Sequence, residues 1–254
     1  MGTEEQDLEI SHSSIMKSEN ILLSIIIPVY NEEKTISDIL AAIVNVSFSD
    51  HVTYELVLVN DCSKDRSEEM IFQFQREHPD IILKYVRHER NQGKGSAIRT
   101  GLALTDGDYI VIQDADLEYD PNSFPGMLSL MLSEKHRVVY GSRFLNRANR
   151  HSYMSFYLGG RLVSLMANLL FRQHLTDEPT CYKMFEAGLL KSLHLKCTGF
   201  EFCPEVTAKV AKLGLRIPEI AISYSPRSIQ EGKKISWKDG VEAIWTLLKY
   251  RFVD

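Results

Sequence analysis

The sequence predicts an α/β fold, a mainly parallel β-sheet with helices on both faces. Three observations predict it. Short, continuous apolar runs rich in β-branched residues recur through the first half of the chain. Between them, apolar residues fall three and four apart, the spacing of a helix face. Polar clusters follow directly after several of the runs. Strands without polar alternation are buried on both sides, which fits a parallel sheet sandwiched by helices.

Taken in order, residues 23–29 form the first predicted strand, and Ile36, Ile39, Leu40 and Ile43 mark the helix after it. Residues 54–60 form the second strand, followed by a helix through 70–74. Residues 81–86 form the third, followed by a helix carrying Ala97, Ile98, Leu102 and Ala103. Residues 109–113 form the fourth strand and 137–140 a fifth. Beyond about residue 120 the pattern turns more helical, with helices expected over 199–213 and 237–252 and a strand over 216–224. Residues 1–20 are polar and acid-rich, lack the layout of a signal peptide, and are expected to be a mobile arm. Residues 21–252 are expected to share one core, 21–120 binding one ligand and 121–252 another.

Composition narrows the function. A chain of 254 residues with 44% hydrophobic and 25% charged residues can bury a substantial core, which excludes disordered, fibrous and many-span membrane classes. A net charge of -5 argues against a general nucleic-acid coat. Cys62, Cys181, Cys197 and Cys203 make no Cys-x-x-Cys pair and read as reduced thiols of a cytosolic protein.

In an open α/β sheet, ligands bind outside the carboxyl ends of the strands. Asn31 and Glu32 follow the first strand, Asp61 the second, and Asp114 and Asp116 the fourth. The sharpest signal is Asp114-Ala115-Asp116. Two carboxylates leave a buried strand together as hard oxygen ligands suited to Mg²⁺ or Mn²⁺, and Glu118 is close enough to join them. Pro28-Val29-Tyr30-Asn31-Glu32 is the second signal: Pro28 is expected to end ladder pairing, Tyr30 offers an aromatic face for a base or ribose, and Asn31 suits a helix cap. The third is the loop 60–67, in which Asp61 can accept a base N–H and Asp65 or Ser63 starts a helix.

These segments, with Asn91-Gln92-Gly93-Lys94-Gly95, Gly141-Ser142-Arg143-Phe144 and Thr176-Asp177-Glu178-Pro179-Thr180-Cys181-Tyr182-Lys183, resemble the family 2 glycosyltransferases of the GT-A (Rossmann-like) fold. The later motifs resemble the dolichyl-phosphate mannosyltransferase-like branch and its bacterial polyprenyl-phosphate relatives. The resemblance covers nearly all of 22–252. It implies an inverting transferase that moves one sugar from GDP-mannose or a UDP-sugar to a polyprenyl phosphate, dolichyl or undecaprenyl. It divides the chain into a nucleotide-sugar part over 21–120 and a helical acceptor part over 121–252. It places Pro28, Tyr30, Glu32 and Asp61 around base and ribose, and Lys94 near the nucleotide with the Gly93 and Gly95 backbone. It implies Mg²⁺ or Mn²⁺ on Asp114 and Asp116, Ala115 between them in the donor site, and Glu118 as third ligand. Arg143 is implied to meet the acceptor phosphate, and Asp177 to lie near the reaction centre as base, as orienter of basic side chains, or as a helix-start residue. Many relatives carry aspartate where this chain has Asn60, and glycines where it has Cys62 and Arg66.

Competing motifs fail. Gly93-Lys94-Gly95 does not make a P-loop, and no Gly-x-Gly-x-x-Gly opens a helix after a strand. The Gln-x-x-Arg-Trp motif of processive relatives is missing, so one sugar per event is expected. A hydroxyl acceptor is the alternative chemistry, and a nucleotide-sugar-binding scaffold without catalysis the alternative class. Residues 153–172 set Leu158, Leu162, Leu165, Met166, Leu169 and Leu170 against a stripe of Arg161, Ser164, Asn168 and Arg172. That stripe disfavours a membrane span and leaves a helix packed on the core or lying in a membrane interface. Relatives often continue into membrane helices, whereas this sequence ends at Asp254, so peripheral contact on the cytoplasmic face, or a membrane-protein partner, is expected. Homo-oligomers fit the same helices. Arg227, Lys233 and Lys234 sit in a basic loop that fits either a solvated turn or a lid over the donor phosphates, with Arg227 and Lys233 in the donor site. His88, His151 and His174 have no metal-like spacing.

Overall fold

The computed structural model describes residues 20–149, 153–227 and 236–253. In chain order the strands are β1 (Ile21–Val29), β2 (Val52–Asn60), β3 (Ile82–Arg87), β4 (Tyr109–Ile112), β5 (Val138–Ser142), β6 (Lys183–Glu186) and β7 (Glu219–Ala221). The helices are α1 (Ile36–Val44), α2 (Ser67–Glu77), α3 (Lys94–Leu102), α4 (Phe124–Glu134), α5 (Met154–Phe171), α6 (Ala187–Ser192), α7 (Phe202–Lys212) and α8 (Trp237–Phe252). The residues predicted as an N-terminal arm, Asn20 apart, lie outside the described residues, as do Lys233 and Lys234.

The strands form one sheet in the order β3-β2-β1-β4-β6-β5-β7. β1 pairs in parallel with both β2 and β4, and β2 with β3. The chain therefore winds outward from β1 through β2 to β3, then returns to the other side of β1 with β4. That reversal creates a crevice beyond the carboxyl ends of β1 and β4, the place where this architecture binds ligands. The expected mainly parallel sheet is what forms, with β6 the exception: it runs antiparallel to both β4 and β5. Leu23, Ile25, Ile26 and Ile27 of β1 and Leu56, Val57 and Leu58 of β2 are fully buried, as the unbroken apolar runs require.

Several expectations need correction. Pro28 does not end the strand, because it stays in register with Val59 of β2. Ile26 gives its carbonyl to Gln113 on the β4 side, and Pro28, two residues on, faces the same side beyond the last β4 pair. Its missing N–H is therefore not needed. The strand expected over 216–224 shrinks to Glu219–Ala221, since Pro218 can only accept, here from Tyr140 N. The helix expected from residue 199 starts at Phe202, where Glu201 folds back to accept from Thr198 N and Gly199 N.

Helix α5 combines the two expected readings, packing one side on the protein and leaving the other exposed. Ser164 and Asn168 turn toward the protein: Ser164 Oγ accepts from Glu178 N at 2.9 Å, and Asn168 exchanges two hydrogen bonds with Leu175 at 2.8 Å. Val163 and Ala167 pack against Ala243 and Leu247 of α8. Of the expected apolar face, Leu158 (58% exposed), Leu162, Leu165 and Leu169 (68% exposed) turn outward with Met154, while Met166 and Leu170 pack against the same cluster as Val163 and Ala167. On α8, Trp237, Val241, Trp245 and Phe252 are exposed as well. By length and composition α5 is able to cross a membrane, with mean hydropathy 1.3 over 18 residues.

Candidate active site

Two loops meet at the crevice. After β1 the backbone of Asn31 enters the left-handed region at φ 52°. Asn31 does not cap α1; its N–H donates to Ser63 Oγ at 3.0 Å and its side-chain oxygen accepts from Lys64 N at 2.8 Å. Glu32 N donates to Ser67 Oγ at 2.8 Å, Glu33 N to Asp65 Oδ2, and Arg66 N to Glu33 Oε2. The β1–α1 and β2–α2 loops are thus zipped into one wall. Cys62 also lies in the left-handed region, at φ 62°, where the glycine of many relatives would sit without strain. Asn60 is fully buried and faces inward, accepting from Ser63 N and donating to the Tyr85 hydroxyl. It sets loop shape rather than meeting a base.

Asp61 closes the far side of the wall. Its Oδ1 accepts from His88 Nδ1 at 2.7 Å and from Gln92 N at 2.8 Å, and its Oδ2 accepts from Gly93 N at 2.8 Å. Gly93 itself has φ 91°, and a side chain there would meet the Thr198 carbonyl oxygen at 2.4 Å. The Gln92-Gly93-Lys94 turn is therefore held by Asp61 from one side and pressed on Thr198 from the other.

The carboxylates follow β4. Asp114 is ion-paired with Lys94, whose Nζ also lies 3.6 Å from Cys181 Sγ. Burial opposes the charge on Asp114, but Lys94 prevails and holds its carboxyl below the usual range. Asp116 goes the other way: burial and then the charge of Asp114 push it up to about 7. Arg227 reaches into this group, with Nη2 at 2.5 Å from Asp116 Oδ2, Nη1 at 3.3 Å from Glu32 and Nε at 3.7 Å from Glu118. Glu118 also accepts from the Tyr224 hydroxyl at 2.9 Å and from Arg227 N at 2.8 Å. Glu32, Asp114, Asp116 and Glu118 thus meet two cations, Lys94 and Arg227. The carboxylates outnumber the cations and offer hard oxygens of the kind that binds Mg²⁺ or Mn²⁺, but among the described residues no three of them converge into a ready-made metal site. Arg227 Nε, buried without a hydrogen-bond partner, is a donor suited to an anion.

On the other side of β4, Arg143 and Asp177 form a two-pronged pair. Arg143 Nε and Nη2 each donate to Asp177 at 2.7 Å, and Arg143 N donates to the same carboxylate at 2.9 Å. Burial works against the guanidinium charge, yet Asp177 holds Arg143 firmly protonated. The guanidinium lies 5.2 Å from the Tyr224 ring and 5.9 Å from the Tyr119 ring. Asp177 has no exposed surface, and Glu219 accepts from its backbone N–H at 3.0 Å. For this residue, expected near the reaction centre as base, orienter or helix-start residue, the structure shows a carboxylate lying behind Arg143 and paired with it.

One cavity of about 1010 Å³ joins these parts. Pro28, Tyr30, Glu32, Asp61, Lys94, Asp114, Ala115, Asp116, Glu118, Arg143 and Arg227 all line it; Asp177 does not. From Arg143 the cavity runs on between α5 and α8, past Phe156, Gly160, Val163, Val241 and Ile244. Asn91, the first residue of the Asn91–Gly95 motif, lines it too, and sequence reasoning missed Tyr119, Phe200 and Tyr224, which also line it. Lone aromatics outside a recognised motif carry no signal of their own.

Residues 24–193 match the sequence family described as Glycosyl transferase family 2. The chain belongs to that family. It is a glycosyltransferase. It is similar to the dolichyl-phosphate beta-glucosyltransferase ALG5A of Trichomonas vaginalis, 27% identical over 229 residues that cover 85% of this chain and 70% of the relative. It is also similar to the undecaprenyl-phosphate 4-deoxy-4-formamido-L-arabinose transferase of Photorhabdus laumondii, 26% identical over 83% of this chain and 62% of the relative. Among solved structures, the glucosyl-3-phosphoglycerate synthase of Mycobacterium tuberculosis superposes with a TM-score of 0.69 at 21% identity, covering 92% of this glycosyltransferase and 82% of that chain. The same enzyme has been solved with Mg²⁺ and uridine diphosphate, at a TM-score of 0.65 and 20% identity over 92% of this chain and 80% of that one. These likenesses fix the GT-A fold.

Proposed function

We propose that this glycosyltransferase moves one sugar from a nucleotide sugar to a polyprenyl phosphate at a membrane surface, by single displacement with inversion. The observation that carries the reading is the continuity of the cavity. It joins the carboxylate cluster and the half-buried guanidinium of Arg143 to an apolar passage between α5 and α8. A nucleoside diphosphate, a phosphate monoester and a hydrocarbon tail match that sequence of surfaces.

In this reading Tyr30, Asp61 and the Gln92–Lys94 turn receive the nucleoside, within 21–120. Asp116 and Glu118, backed by Asp114, would hold Mg²⁺ or Mn²⁺. When bound, the dication neutralises charge on the leaving diphosphate. Arg227, already drawn to the same carboxylates, compensates charge on the donor phosphates. Arg143 orients the acceptor phosphate, and Asp177 keeps its guanidinium fixed. A phosphate monoester has its second pKa near 6 and is largely ionised at neutral pH, so it attacks without a general base. That matches a site in which Asp177 is sealed off. A hydroxyl acceptor would need a base within reach of the reacting proton. The exposed apolar faces of α5 and α8 support peripheral docking on a membrane, placed on the cytoplasmic face in this reading.

The test is transfer from UDP- and GDP-sugars, with Mn²⁺, to short-chain polyprenyl phosphate or to a panel of water-soluble sugars, alcohols and phosphates. Product on polyprenyl phosphate only is expected. Turnover on a free hydroxyl acceptor, or on none, overturns the reading.

A further inference from the structure

Asp61 is a carboxylate with two oxygens and about four acceptor positions. The fold has already filled three. His88 Nδ1 and Gln92 N take both positions on Oδ1, at 2.7 and 2.8 Å, and Gly93 N takes one on Oδ2, at 2.8 Å. Gln92 and Gly93 are backbone donors that any sequence would supply. His88 is the one side chain among the three, and it is nearly buried. It is fixed at its other end as well, where Nε2 faces Thr100 Oγ1 of α3 at 2.9 Å. Its backbone N donates to Asn60 O at 2.9 Å, so the ring cannot drift from Asp61 without loss of the β3 edge.

We infer that His88 is a positioning residue that sets donor-base specificity by limiting Asp61 to one free acceptor. This rests on the nucleotide-sugar reading given above and deepens it. A base that offers one imide N–H, uracil or thymine, is satisfied by one acceptor. Its flanking carbonyls then need donors, and Asn91, whose Nδ2 donates to Asp61 O at 3.3 Å, is an amide lining the same cavity. Guanine presents two adjacent donors, N1–H and the exocyclic amine, and requires both carboxylate oxygens. With Oδ1 filled by His88 and Gln92, one guanine donor is left buried and unpaired, a penalty equivalent to roughly ten- to hundredfold in affinity. Cytosine turns an unprotonated ring nitrogen toward the carboxylate. The favoured donor is therefore a uridine or thymidine diphosphate sugar.

The experiment is calorimetric titration of the full chain with UDP, dTDP, GDP and CDP in Mn²⁺. It is repeated on His88→Asn, which keeps an N–H where Nδ1 lies, and on His88→Phe, which keeps the ring and removes the donor. Wild type should bind UDP or dTDP at least about tenfold more tightly than GDP and CDP. H88N should keep that ratio. H88F should shrink it to a few-fold by releasing an acceptor position on Oδ1. A purely structural histidine would weaken all nucleotides alike and leave the ratio unchanged, which overturns the inference; so does a wild type that ranks GDP first or ranks all four alike. If H88F does not fold, the wild-type ranking alone decides. Binding of no nucleotide by wild type sinks the nucleotide-sugar reading itself rather than the role of His88.

Discussion

Arg143 and Asp177 show how much one buried pair can organise. Asp177 has no solvent exposure, and three N–H groups of Arg143 converge on it. Removing one member of a buried pair leaves the other charge uncompensated, typically at about 3–5 kcal/mol. Asp177→Ala should therefore lower stability by about that amount in urea unfolding. The folded fraction should show a raised KM for the phosphate acceptor, with nucleotide binding close to wild type. Equal loss of donor and acceptor binding would mean that the pair supports the whole domain, not the acceptor end. The Asp114-Ala115-Asp116 cluster was legible in the sequence because two carboxylates after an apolar run have few structural explanations. The pairing of Asp177 with Arg143 was not legible, because whether a carboxylate faces the cavity or an arginine depends on the packing around β5, which no local pattern reports.

At the scale of elements, strands were the most readable feature. Unbroken apolar runs fixed β1, β2 and β4 to within two residues at each end. β6 escaped because Lys183–Glu186 is four residues long, and two of them are charged. Lys183 is nonetheless buried, with its ammonium donating to Glu178 O at 2.6 Å and lying 3.6 Å from the Tyr140 ring. Helix α4 escaped too, since Pro125 and Gly126 stand in its first turn. The sequence also showed α5 to be two-sided but not which side turns inward. Hydrogen bonds from Ser164 and Asn168 to the loop at 175–178 decided that in favour of the polar side. Exposed positions are tolerant, so replacing Leu158 and Leu165 together by glutamate should change stability by no more than about 1 kcal/mol. The same change should abolish co-sedimentation with lipid vesicles while leaving UDP or GDP binding intact. Vesicle binding that survives it would remove α5 from the docking surface.

For the molecule as a whole, the electrostatic tension sits at the end of β4. Asp116 is raised to about 7 by burial and by Asp114, from an ordinary value of 3.8. A carboxyl raised in the folded state binds its proton more tightly there than in the unfolded chain. Its contribution to stability is full below about 4 and is lost as pH rises through about 7. Without divalent cations, the melting temperature should therefore drift downward across that window, and Asp116→Asn should flatten the drift. Mn²⁺ competes with the same proton, so its affinity should climb by up to about tenfold per pH unit below 7 and level off above it. Calorimetric Mn²⁺ titrations at three pH values check this, and a flat affinity would place the cation elsewhere.

Helix α5 keeps its polar groups for the protein and turns hydrocarbon outward, and α8 continues that surface with two tryptophans. A body built this way is a surfactant. It lowers its free energy at any oil–water or air–water boundary. Mild detergent should therefore sharpen its hydrodynamic profile and protect its fold, the reverse of the response of a protein with a wettable coat.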